Sequence, residues 1–81
     1  MYEHRATDPA PMPRPPPGMV ASLRQPGEVR VGDYIRLDGT YLQVQDMRAL
    51  GIAGHRVLIF SDHQPWVMRK ATTTYRMPDY R

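Results

Sequence analysis

Residues 29–47 read VRVGDYIRLDGTYLQVQDM, and this stretch decides the fold. Val29, Val31, Ile35 and Leu37 recur at even spacing, with Arg30, Gly32, Tyr34 and Arg36 between them, the period of a half-buried strand. Asp38-Gly39 follows. That pair between alternating runs predicts a type I′ hairpin, because both central residues of the turn need positive φ. The return strand is expected over 40–47, with Leu42 and Val44 facing one way and Tyr41, Gln43 and Gln45 the other.

Downstream, RALGIAG (48–54) carries two glycines and is read as a loop at the sheet edge. HRVLIF (55–60) is the most apolar run and predicts a strand buried on both faces. Ser61-Asp62-His63-Gln64 supplies turn chemistry, and Pro65 can only open the next strand, expected over 66–69. Lys70-Ala71 makes a single turn before a closing strand over 72–76. Five short strands without a helix define an all-β class. A flat sheet this small would leave two long edges, so a small five-stranded barrel is expected.

The order and spacing of these elements resemble the SH3-like small barrels. The resemblance covers 28–77 and rests on Val31-Gly32-Asp33-Tyr34-Ile35, the Asp38-Gly39 hairpin, Val44 and Val57-Leu58-Ile59. A short basic barrel behind a proline-rich tail is also similar to the KorB-type repressors of streptomycete conjugative plasmids, through size, layout and the segment 32–75. That resemblance implies operator binding by the barrel and proteolytic removal of the tail.

The chain has 81 residues, enough for one small domain. Seven of its nine prolines, at positions 9, 11, 13, 15, 16, 17 and 26, lie in the first 27 residues. Proline fixes φ and removes a donor, so a disordered or polyproline tail is expected over 1–27. Pro13 and Pro16 give that tail a PxxP spacing around Arg14, the pattern of a docking ligand, although a plain spacer has the same composition. MVASLR (19–24) is too short for a stable helix, and Gln25-Pro26-Gly27 is a turn, so the barrel is expected to begin near Glu28 and to end at Met77, before a flexible terminus at 78–81. The segment 18–27 is then the expected site of proteolytic cutting.

A domain of about 50 residues buries only about 60% of its unfolded surface. No cysteine is present to staple it, which points to a cytoplasmic setting. No run approaches the roughly 20 apolar residues of a membrane span.

Catalysis and metal binding find little support. Ser61, Asp62 and His63 are consecutive on a turn and cannot converge as a triad. Asp33, Asp38, Asp46 and Asp62 are scattered, His55 and His63 sit at opposite ends of a strand, and His4, Glu3 and Asp8 lie in the tail. No enzyme, cofactor, metal or small-molecule substrate is expected.

Charge carries the functional expectation. Between 48 and 77 stand Arg48, Arg56, Arg69, Lys70 and Arg76 against Asp62, whereas 28–47 sets Arg30 and Arg36 against Glu28, Asp33, Asp38 and Asp46. A face built from the first group would suit the phosphates of double-stranded DNA, with Arg48, Arg56 or Arg69 reading bases. A barrel this small would need to act as a homodimer on a two-fold operator, with Met47 and Met68 extending a dimer contact. The function expected from this is a small transcriptional repressor. The alternative is a protein-interaction module in which Tyr34, Tyr41 and Trp66 line a groove for a peptide.

Overall fold

In the computed structural model, Asp38 and Gly39 take φ of 52° and 79°, as the hairpin requires. The turn joins β2 (Tyr34–Leu37) to β3 (Thr40–Gln43), with Leu37 opposite Thr40. The described residues are 14–51 and 54–78; the expectations for the tail before Arg14 and for the terminus after Pro78 lie outside them.

Among the described residues seven strands are present in place of five. The others are β1 (Val20–Arg24), β4 (Asp46–Ala49), β5 (Arg56–Ile59), β6 (Trp66–Met68) and β7 (Thr72–Arg76). They form two antiparallel sheets, β1-β7-β2-β3 and β4-β5-β6, and no ladder closes these into a barrel among the described residues. The inner faces meet in a core of Val29, Ile35, Leu42, Val44, Leu58, Phe60 and Met68, with Leu37, Met47 and Trp66 packed against it.

The expected second strand over 40–47 is interrupted at Val44-Gln45. Val44 lies past the end of the β2–β3 ladder and exchanges backbone hydrogen bonds with Gly32 and Asp33 just ahead of β2, each 2.8 Å, and the Gln45 amide then donates to the Ile59 carbonyl at 2.7 Å. One run of chain thus passes from the first sheet into the second. The alternating residues 29–33 are likewise a turn, not strand. Gly32 takes φ +99°, the Asp33 amide closes the turn onto the Arg30 carbonyl at 3.0 Å, and Val31 is left exposed. Glycine tolerates that conformation at no steric cost.

Further expectations are corrected. The boundary at Glu28 leaves out β1, which pairs with β7 over five positions from Val20↔Arg76 to Arg24↔Thr72. The Arg24 guanidinium also donates to the Thr74 hydroxyl at 2.6 Å. The expected cleavage segment 18–27 therefore contains a laddered strand. β5 is buried on one face only: Leu58 is inward and Phe60 continues that face, while Val57 and Ile59 are half-buried on the other. Met68 is fully buried in the core and is no surface contact. Among the described residues no helix is long and apolar enough to cross a membrane.

The loop and the last strand are locked together by charge. Arg76 donates from Nε and Nη2 to the two oxygens of Asp33, both at 2.7 Å, and from Nη2 to the Glu28 carbonyl at 3.1 Å. Asp33 is only 2% exposed and also accepts the Arg30 amide at 2.9 Å. Burial opposes its charge, but the hydrogen bonds from Arg76 and Arg30 and the attraction of Arg76 and Arg24 outweigh it, so its carboxyl ionises below the ordinary aspartate value.

A lowered folded-state value means that this contribution to stability is complete above about pH 3.8 and is lost as pH falls through the folded value. Asp33→Asn should cost about 3 kcal/mol at neutral pH, because Arg76 is left half-buried without its anion. Urea denaturation at pH 7 and pH 3 checks both points: the wild type loses stability on acidification, and the variant loses less.

Candidate functional site

Ile35, Leu42 and Thr74 point into the core, so alternation turns Tyr34, Arg36, Tyr41, Gln43, Thr73 and Tyr75 to the outer face of the four-stranded sheet. Tyr34 lies opposite both Gln43 and Tyr75, and Arg36 lies opposite Tyr41. The rings of Tyr41 and Tyr75 meet edge to face across β2, with centroids 5.1 Å apart and planes at 78°. This geometry sets the positive edge of one ring on the negative face of the other. Leu23, opposite Thr73 on β1, is 68% exposed and extends the face outward.

The Tyr75 hydroxyl ionises above the ordinary tyrosine value, first because of its hydrogen bond to Tyr41, then through burial and repulsion from an ionised Tyr41; Arg36 acts in the opposite direction. Beside this cluster β2 and β7 separate, since their ladder holds only Tyr34↔Tyr75 and Ile35↔Thr74. The gap is an open hollow of about 410 Å3 lined by Arg36, Asp38, Gly39, Thr72, Thr73 and Tyr75. A guanidinium, threonine hydroxyls and an aromatic ring can there contact an extended polar chain.

Tyr34 and Tyr41 are thus brought together, and Tyr75 joins them. Trp66 does not: it lies opposite the buried Leu58 on β6 and packs against the core. The sequence placed Tyr75 on a strand, but only the β2–β7 register reveals that it meets the other tyrosines.

The expected basic face is dispersed. Arg76 is committed to Asp33. Arg48 lies opposite the outward Val57, whereas Arg56 lies opposite the fully buried Met68, so the two side chains leave opposite faces of the second sheet. Arg69 and Lys70 are exposed beyond β6.

The charge asymmetry also disappears once β1 and β7 rejoin β2 and β3. The second sheet and its loops set Arg48, Arg56, Arg69 and Lys70 against Asp46 and Asp62. The remainder, from residue 14, sets Arg14, Arg24, Arg30, Arg36 and Arg76 against Glu28, Asp33 and Asp38, the same surplus.

Around the turn 61–64, Ser61 and Asp62 are exposed. His63 Nε2 lies 3.6 Å from Asp38, and its ring meets Phe60 edge to face at 5.8 Å. His63 therefore sits beside the first hairpin. No group of three or more histidine, cysteine, aspartate or glutamate side chains is placed to hold a metal among the described residues.

No protein-family model, curated protein or solved structure matches this chain.

Because the hydrogen bond that the Tyr75 hydroxyl donates to Tyr41 is the largest influence on it, Tyr41→Phe should lower the Tyr75 titration midpoint toward that of free tyrosine. Ultraviolet or NMR titration of the variant reads this directly; an unmoved midpoint would show that the hydroxyl contact does not set it.

Proposed function

We propose that this chain is a protein-interaction module that grips an extended peptide segment through the outer face of the β1-β7-β2-β3 sheet. The carrying observation is the contiguous placement of Tyr34, Tyr41, Tyr75 and Arg36 beside an open hollow. Tyrosines offer large, rigid, amphipathic contact area with few torsions to freeze. Arg36 and Asp38 supply polar contacts at the rim, and Arg36 favours a ligand carboxylate.

The fold reading behind the proposal is an SH3-like barrel with an added first strand. Its support is the pairing order: β2 between β7 and β3, a bent β3–β4 run shared by both sheets, and a β4-β5-β6 meander. β1 adds to the far side of β7.

A second reading, double-stranded DNA binding by a small repressor of the KorB type, draws on a different observation. Arg48, Arg56, Arg69 and Lys70 have no carboxylate within ion-pair distance among the described residues. Because Arg48 and Arg56 leave opposite faces, up to three such charges can meet one duplex, giving a slope of log affinity against log salt of roughly −2.7.

Selection from a random peptide library, followed by chemical-shift mapping, separates the readings. A selected peptide should shift Tyr34, Tyr41 and Tyr75, and Tyr75→Ala should weaken it by about 2 kcal/mol, roughly thirtyfold. Arg48→Ala with Arg69→Ala should leave that affinity unchanged. The opposite pattern, with duplex DNA bound, the stated salt slope and loss in the double arginine variant, would transfer the function to the second sheet.

A further inference from the structure

Among the described residues the four-stranded sheet ends in β1, whose only ladder partner there is β7. An uncovered strand edge is a template for another strand unless it is short, bent, charged or guarded by proline. The other outer strands carry such guards. β3 has four residues and turns at once into β4. β4 carries Asp46 and Arg48. β6 has three residues, between Pro65 and Arg69-Lys70.

β1 is the longest of these outer strands and carries no proline within it. It is VASLR, five residues. Its one charge, Arg24, is turned back onto the Thr74 hydroxyl and carbonyl, and Val20 and Leu23 are 51% and 68% exposed.

We infer that the free edge of β1 pairs antiparallel with β1 of a second copy, about a two-fold axis through Ser22. The strand is self-complementary under that operation. Ser22 meets Ser22, Ala21 meets Leu23, and Val20 meets the aliphatic stem of Arg24, so no like charges face each other. This self-match without opposed like charges favours a second copy as the occupant.

Pairing would cover Val20 and Leu23 and fuse two four-stranded sheets into one. The contact is small beside the roughly 1,200 Å2 of a stable interface, so association is reversible and concentration-dependent. This inference is independent of the peptide reading, although it would set two tyrosine faces side by side.

The chain has no cysteine, which permits a direct test. Directly opposed Cα atoms in antiparallel strands lie about 4.5–5.5 Å apart, within the roughly 4.4–6.8 Å that a disulfide spans. Ser22→Cys in the full chain should therefore cross-link into dimers under mild oxidation far faster than Ser61→Cys, which sits on an exposed turn.

Sedimentation equilibrium of the unsubstituted chain from micromolar to millimolar concentration should show a monomer–dimer equilibrium. Leu23→Lys, which replaces the apolar contact with Ala21 of the other copy twice per dimer and faces only Thr73 within its own sheet, should weaken it by about tenfold while keeping the thermal transition. A monomer throughout the range, or equal cross-linking at positions 22 and 61, overturns the proposal.

Discussion

The pairing of Asp33 with Arg76 is the constraint on which the rest of the structure depends. It joins residues far apart in the chain: a tight turn ahead of β2 and the last residue of β7. The acid also accepts the Arg30 amide, and the base reaches the Glu28 carbonyl, so one buried contact holds the entry loop, the turn and the closing strand in register. Such a pair contributes little beyond an apolar substitute of the same shape, but removing one partner strands the other in a low-dielectric site. The pair is made in the register that sets Tyr75 opposite Tyr34.

A second constraint is the bend at Val44-Gln45. A straight strand over 40–49 would present one face to a single sheet. By diverting the Val44 backbone to Gly32 and Asp33 and the Gln45 amide to Ile59, the chain turns two sheets toward a common interior. Val44 itself is 1% exposed and fills the corner. The same turn that supplies Asp33 to Arg76 thus also supplies the hydrogen bonds that end β3.

Elements governed by neighbouring residues were legible in the sequence. The Asp38-Gly39 hairpin, the turn before Trp66 and the closing strand at 72–76 follow from local φ demands and alternation. What could not be read was set by distant partners. VASLR has no strong local preference and becomes a strand because β7 offers it an edge. Residues 29–33 alternate like a strand, yet the conformation of Gly32 and the demands of the buried carboxylate make them a turn.

The candidate site divides in the same way. Tyr34 and Tyr41 were visible as outward residues of one hairpin, while Tyr75 needed a long-range register and Trp66 was drawn inward by the core. The basic face was a product of counting along the chain. Placing Arg24 and Arg76 beside the acidic residues of the first hairpin evens out the charge, and Arg56 and Arg48 part company because adjacent parities of a strand pair look in opposite directions.

Because β1 runs antiparallel to β7, the chain enters at Val20 directly beside the point where it leaves at Arg76. A unit with doorways so close together can be spliced into a host loop with little distortion of the host. The same arrangement makes it a poor bearer of tension: traction between the two ends would unzip the ladder one rung at a time, starting at Val20, instead of loading all rungs at once.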